Sequence, residues 1–462
     1  MWLVSFPLVA IATLVLAILT AFKASQTART PQGAVGWVVF IATLPFLAIP
    51  AYLIFGYART GKFQQRRARV RAALNHPLAE ASPPASQEGR SRLQTFTAMG
   101  GGAPTCGNGV KILKDGPATY DAIIESIGEA QTYVLVEYYT IRSDEVGHRF
   151  RQALFDAVGR GVRVRVLYDP MGCFLTRRSF LKSFSRAGID MQASRGPARP
   201  LGRIGLNFRN HRKTVVVDGT TGFTGGINVG DEFVGRWRDT HMKLHGPIVA
   251  QLQRIFAEDW EKQRGDAIDK ELNWEPGRSE QDLDALVMAT GPLDDVESAT
   301  LYFCALAQAA ERRLWITTPY FVPSADVLTA LKVASLRGVD VRVVVPHDAD
   351  KWLPWIAAFA FFDDVRAVGI RIYRYHEAFM HQKVVLVDDD LVSIGTINMD
   401  IRSCLLNFET TVIFQSESLA REVEEMLCED LERSHLMRKT RAEWPLWLRI
   451  SGPLVKLLAP IL

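Results

Sequence analysis

His211-Arg212-Lys213-Thr214-Val215-Val216-Val217-Asp218 recurs in this chain as His381-Gln382-Lys383-Val384-Val385-Leu386-Val387-Asp388. Both octets read H-x-K-x4-D, and both carry an apolar, largely β-branched run that predicts a strand. The match continues outside the octets. Asn228 and Asn398 each lie 17 residues past their histidine, and an acid, Asp239 or Glu409, lies 28 past it. One octet is a weak signal; two with matching flanks predict a duplicated catalytic half. Upstream of the first octet, residues 133–139 and 162–169 predict strands with a helix near 150–158 between them. Upstream of the second, 314–318 and 339–345 predict strands flanking a helix over 325–336. Gly161-Val162-Arg163-Val164-Arg165-Val166 is echoed by Gly338-Val339-Asp340-Val341-Arg342-Val343. Strands alternating with helices at this length indicate an α/β class with buried sheets.

On a strand, residues two apart share a face. His211 and Lys213 therefore point into one site, as do His381 and Lys383. A buried amine needs a partner, so a His-Lys pair present twice favours a functional reading over a structural one. If the halves pack face to face, two imidazoles, two ammonium groups, Asn228 and Asn398 converge on one electropositive pocket suited to a phosphate. One neutral imidazole can attack phosphorus while the other donates a proton to the leaving alcohol and then activates the incoming hydroxyl. Lysines and asparagines would hold the equatorial oxygens. Asp239 and Glu409 are the candidate acceptors that fix the histidine tautomers. Asp218 and Asp388 complete the catalytic set by motif, and are expected to position the strand by hydrogen bonds or to pair with lysine.

No metal and no cofactor are expected. The five cysteines have no zinc-like spacing, which suits a reducing compartment. His241 and His245 lie four apart, but the alternating residues around them predict a strand, on which that spacing chelates poorly.

The hydrophobic content of 48% is concentrated at the start of the chain. Residues 2–22 and 33–58 carry no charge. A run of 21 helical residues covers about 31 Å, the thickness of the hydrocarbon core, so two membrane helices joined by a short turn are expected. A cleaved signal is disfavoured, since the first run lacks a basic leader and a clean small-residue cleavage site. Lys23 and Arg29 lie in the turn, whereas Arg59, Lys62, Arg66, Arg67, Arg69 and Arg71 follow the second run with no acid among them. The positive-inside rule then puts the large domain in the cytoplasm and the turn outside. The same basic run can meet anionic head groups. A net charge of +4 gives no broad basic face for nucleic acid, and none is expected as a partner. Residues 77–92, rich in Pro, Ala, Ser, Gln and Glu, predict a flexible connector. The proline-interrupted stretch 444–462 predicts a short amphipathic tail, packed on the domain or lying in the interface through Arg449 and Lys456.

These motifs resemble the phospholipase D superfamily, and within it the bacterial cardiolipin synthases. The superfamily signature continues as Gly225-Gly226-Ile227-Asn228 and Gly395-Thr396-Ile397-Asn398. The narrower resemblance rests on Asn207-Phe208-Arg209-Asn210-His211-Arg212-Lys213, Trp237-Arg238-Asp239-Thr240-His241, Glu137-Tyr138-Tyr139, Pro319-Tyr320-Phe321-Val322-Pro323, Asn398-Met399-Asp400-Ile401-Arg402-Ser403 and Asn407-Phe408-Glu409. It covers about residues 110–430. The resemblance implies duplicated α/β/α sandwich halves behind a two-helix transmembrane hairpin. The segments would be 1–58 (membrane helices), 59–109 (basic flank and linker), 110–262 (first half), 263–298 (connector), 299–432 (second half) and 433–462 (tail). It also implies a phosphatidyltransferase of the bacterial inner membrane that joins two phosphatidylglycerol molecules into cardiolipin and releases glycerol. Phosphatidylglycerol and anionic membrane lipids would be its partners. By the same resemblance His211 is the nucleophile and His381 the acid, then the base.

Overall fold

The computed structural model describes residues 2–28, 31–56, 83–194, 208–294, 296–457 and 459. They form two compact units, a small N-terminal one and a much larger one that follows it.

The N-terminal unit opens with α1 (Trp2–Thr27), whose 26 residues are about 39 Å long. This is enough to cross a bilayer, as expected. The second apolar stretch departs from the expected single crossing. It forms α2 (Pro31–Thr43) and α3 (Pro45–Phe55), broken at Leu44, whose φ of −137° and ψ of 59° are not helical. Pro45 explains the break, because its ring disfavours a helical residue before it and removes a donor. In a straight helix residues 37 and 52 would be about 22 Å apart. Here the Trp37 and Tyr52 rings lie 5.1 Å apart, edge to face, and the Tyr52 hydroxyl is 2.7 Å from the Thr27 hydroxyl. The chain therefore doubles back at Leu44, and α3 returns alongside α1. Ala24, Ile41, Ala48 and Tyr52 form the small core, with Ala17 and Ala21 packed on it. Alanines at these positions let the helices approach closely. At 13 and 11 residues, α2 and α3 are each too short to span a hydrocarbon core. Tyr57 and the basic run 59–71 lie outside the described residues.

In the larger unit one sheet runs through both halves. The first half supplies β1 (Thr105–Lys114), β2 (Tyr133–Tyr138), β3 (Arg163–Tyr168), β4 (Asp190–Ala193), β5 (Arg209–Asn210), β6 (Lys213–Val217), β7 (Thr221–Gly225), β8 (Trp237–Arg238) and β9 (Thr240–His245). The second supplies β10 (Leu283–Thr290), β11 (Arg313–Thr317), β12 (Asp340–Pro346), β13 (Arg371–Tyr375), β14 (Phe379–Met380), β15 (Val384–Val387), β16 (Leu391–Gly395) and β17 (Asn407–Gln415). The order β4-β3-β2-β6-β7-β9-β1 in one half is matched by β13-β12-β11-β15-β16-β17-β10 in the other. The halves join where β1 pairs antiparallel with β10. This is the duplication expected from the octets, with the motif strands β6 and β15 at equivalent central positions.

The motif strands are buried on both faces, which accounts for their continuous Val/Leu runs. Helix Pro247–Arg264 and helix Glu417–Glu432 cover one side and share a core that draws on both halves, including Leu135, Val216, Leu386 and Val412. The residue between His and Lys of each octet points into this core. Arg212 is buried and bonds Asp259 of the first helix through Nη1, and the Glu409 carbonyl through Nε at 3.2 Å. Gln382 donates to Asp430 of the second helix at 3.0 Å. Strand alternation thus sends His and Lys to the site and anchors the middle residue behind it.

Residues 77–92 are not a connector throughout. Ser86 caps a helix, Gln87–Ala98, by accepting from the Gly89 N–H, and its Leu93 and Phe96 are buried. Leu93 and Phe96 belong to the second half's core, so polar composition concealed an amphipathic packing helix. At the other end, helix Leu446–Lys456 follows Trp444, whose ring packs 5.2 Å from Phe359. Leu448 is buried, while Leu446, Trp447, Ile450 and Leu454 are exposed. The tail is thus packed on the domain and keeps an apolar outer face.

Candidate active site

The octets bring His211 and His381 to one cavity of about 430 Å3, whose walls also include Asn228, Asn398, Tyr139, Trp237, Arg209 and Arg402. Lys213 and Lys383 are buried beside it, each Nζ donating to the carbonyl of its own histidine. Lys383 also reaches 2.9 Å from His381 Nδ1, and Lys213 sits 5.6 Å from the Tyr139 ring centre. Asn228 Oδ1 accepts from the Thr140 amide at 3.2 Å, which fixes its orientation.

The histidine partners cross between halves. His211 Nδ1 lies 2.8 Å from Glu409, and His381 Nδ1 lies 2.5 Å from Asp239. Two short ladders impose this. β5 pairs in parallel with the start of β17, so the His211 amide donates to Phe408 next to Glu409. β14 pairs in parallel with β8, so the His381 amide donates to Arg238 next to Asp239. Both acids are fully buried and held by neighbours. Glu409 accepts from Thr396 at 2.5 Å and from Asn407 at 3.1 Å, and Asp239 from the Thr240 amide at 2.7 Å.

Asp218 and Asp388, grouped with the catalytic residues by motif, are not brought to the site. Each closes the turn at the far end of its strand with a left-handed backbone, φ 51° and 50°. Asp218 accepts from the amides of Gln131, Thr132 and Tyr133, and Asp388 from those of Glu311, Arg312 and Arg313. Asp388 also pairs with Arg92 at 3.2 Å. They pin the motif strand to its neighbour, and among the described residues neither pairs with a lysine. His241 and His245 lie on a strand, as expected.

Burial dominates the electrostatics. It lowers the pKa of His211 to about 4, although Glu409 pulls the other way. His381 falls well below its ordinary range through burial and the two lysine charges. Burial raises Asp239 to about 6, with Lys383 opposing. Burial also acts to raise Glu409, but His211 and Lys213 hold it below the usual carboxylate range. Lys213 is lowered to about 7 and Lys383 to about 8, in both cases by burial first. The site therefore presents neutral imidazoles and ammonium groups that hold their protons less firmly than free lysines, Lys213 the less firmly of the two, and a phosphate monoanion beside them would strengthen that hold.

A pH profile should show this. A lysine with a lowered pKa loses its charge as pH rises through the lowered value. The kcat/KM of the enzyme, which reports the unliganded protein, should begin to fall between about pH 7 and 8 rather than near 10. Lys213→Arg should move that limb to higher pH, because a guanidinium does not titrate there. A profile flat to pH 9 would show that both ammonium groups keep their protons.

Sequence reasoning named Arg209, Arg402, Asn407 and Thr396 only within the stretches that carry the resemblance and gave none of them a role. Spacing could have added Arg209, which stands two residues before His211 and so shares its side of an extended chain.

Comparison with known proteins agrees with this geometry. A model described as "Cardiolipin synthase, PLD-like domain" matches residues 123–260 and 303–431, and one described as "Phospholipase_D-nuclease N-terminal" matches 11–56. Cardiolipin synthase A of Pseudomonas fluorescens (strain SBW25) is 37% identical over 96% of this chain and 96% of its own. Cardiolipin synthase A of Pseudomonas putida (strain W619) is 38% identical over 97% and 96%. Among solved structures, the phosphatidylserine synthase of Haemophilus influenzae Rd KW20 superposes with a TM-score of 0.61 at 14% identity, covering 86% of this chain and all of that one, which shows a shared fold. With two matched segments covering more than half its length, and relatives aligned nearly end to end, this chain belongs to the phospholipase D-like family, in its cardiolipin synthase branch.

Proposed function

We propose that this protein is a cardiolipin synthase, moving a phosphatidyl group from one phosphatidylglycerol to a hydroxyl of a second and releasing glycerol. The observation that carries the reading is the pair of histidine–carboxylate dyads facing one cavity, with two asparagines in its wall and two lysines buried beside it. In the first step His211 Nε2 bonds to phosphorus while the bond to the headgroup oxygen breaks, and His381 gives that oxygen its proton. In the second, His381 takes the proton of the incoming hydroxyl, whose oxygen bonds to phosphorus as the phosphorus–nitrogen bond breaks. His211 suits the attacking role because phosphorylation leaves its ring positive. Glu409, the acid that stays ionised, sits against its Nδ1. His381 gains its proton as the anionic substrate offsets the lysine charges that depress it. Lys213, Lys383, Asn228 and Asn398 hold the phosphoryl oxygens.

The doubled-back helices bear on membrane topology. With α1 crossing and α2–α3 entering and returning, α3 ends on the side of the bilayer where α1 ends, the end that carries Lys23. The positive-inside rule makes that side the cytoplasm, where the catalytic halves then reside. This revises the side expected for the turn and keeps that of the domain. Met171, Phe174 and Leu175 at the cavity wall are exposed, which suits contact with acyl chains.

Purified protein in mixed micelles with phosphatidylglycerol as the sole phospholipid should yield cardiolipin and glycerol in equal amounts. Release of phosphatidic acid without cardiolipin would refute the reading and leave a hydrolase.

A further inference from the structure

The cavity holds more cationic charge than one phosphate uses. The reacting phosphoryl group is served by the two lysines and two asparagines beside the histidines. Four further cations line it: Arg142, which pairs with Glu232 at 3.6 Å; Lys351, 5.5 Å from the Tyr320 ring centre; and the pair Arg209 and Arg402. The last two come from different halves, Arg209 from β5 and Arg402 from the short helix Ile401–Leu405, and both line the same cavity. Their charges meet there. The pKa of Arg402 is lowered by burial first and then by Arg209, and both arginines act on the Tyr139 hydroxyl. Tyr139 packs edge to face on His211, with ring centres 5.1 Å apart. Both arginines, Tyr139 and His211 thus line the same cavity. Of the carboxylates in the cavity wall, Glu232 pairs with Arg142 and Asp350 accepts from the Tyr320 hydroxyl. The two that act on the arginines also hold backbone. Asp169 accepts from the amides of Met171, Gly172 and Asn210, and Asp400 from that of Ser403. These bonds fix the strand and helix that carry the arginines.

We infer that Arg209 and Arg402 form a second anion subsite, which holds the phosphodiester of the acceptor lipid while its free hydroxyl reaches the phosphorylated histidine. This rests on the proposed transfer between two phosphatidylglycerol molecules. In that reaction the leaving glycerol is neutral, so the only anion besides the reacting group belongs to the acceptor. The spacing fits. Three carbons and two oxygens separate the phosphorus atoms of the product, and six bonds of about 1.5 Å keep them within about 8 Å. Arg209 stands two residues from His211, about 6.6 Å along an extended strand. A guanidinium fork matches the two unbridged oxygens of a phosphodiester. Anchoring the acceptor this way raises the effective concentration of its hydroxyl at phosphorus, which favours a lipid alcohol over water.

The test compares two acceptors in one sample. Wild-type enzyme with phosphatidylglycerol and labelled glycerol forms cardiolipin from the anionic acceptor and labelled phosphatidylglycerol from the neutral one. Arg209→Gln and Arg402→Gln should each lower the ratio of cardiolipin to glycerol exchange by about 10- to 100-fold, the worth of a charge-assisted contact. Arg→Lys at either position should restore part of it. The ratio does not depend on how much enzyme folds. An unchanged ratio in both glutamine variants, or a selective loss of glycerol exchange, would overturn the subsite. If the wild type exchanges glycerol but makes no cardiolipin, the proposed function fails first, and the result is read as such.

Discussion

His211→Ala and His381→Ala should each reduce cardiolipin formation by roughly 10^4-fold or more, the scale of losing a nucleophile or its proton partner from a unit that acts together. The two variants should differ in what they accumulate. With labelled phosphatidylglycerol and rapid denaturation, His381→Ala should retain some acid-labile label on the protein, because its attacking ring is intact. His211→Ala should retain none. Label on His381 in the wild type would reverse the roles, and near-normal turnover in either variant would end the two-histidine mechanism.

Glu409→Gln and Asp239→Asn come next in size, at roughly 10^2- to 10^4-fold, since an amide can hold the ring in the wrong tautomer and cannot balance its charge. Their pattern is set by the crossing. Glu409 lies in the second half but bonds His211, so Glu409→Gln should suppress formation of the phosphorylated enzyme. Asp239 lies in the first half but bonds His381, so Asp239→Asn should mainly slow proton transfer. A lipid donor with a nitrophenol leaving group, which departs without an acid, should rescue the first step in Asp239→Asn and not in Glu409→Gln. The opposite pattern of rescue would mean that the roles follow the chain halves rather than the contacts.

Much of this site was legible in the sequence because catalysis here is built on strands. A period of two put His and Lys of each octet on one side, and the structure places both pairs at the cavity. The offset of 28 residues found both carboxylates. It could not say which serves which histidine, because the crossing depends on β5 and β14. Each is a two-residue ladder too short to leave a periodic trace. The aspartates of the octets position the motif strand by hydrogen bonds, as one of the two expected roles had it. Only their grouping with the catalytic residues followed the motif alone, since seven residues of extended chain carry Asp218 about 23 Å from His211. At the N-terminus, hydropathy registers only the apolar length of 33–58. The reversal at Leu44 arises from Pro45, a residue type that membrane helices commonly tolerate as a mere kink.

The exchange of carboxylates obeys the rule of a two-fold dimer, although it occurs within one chain: element i of one half touches element j of the other, and j touches i. β5 on β17 is mirrored by β14 on β8. In a true homodimer the two dyads would be identical by symmetry and could not hold different protonation states except in turn. Fusion into one chain lifts that constraint. Here one acid is a glutamate held ionised and the other an aspartate raised to about 6 by burial. Two rings that began as copies are thus free to specialise, one for bonding to phosphorus and one for carrying the proton.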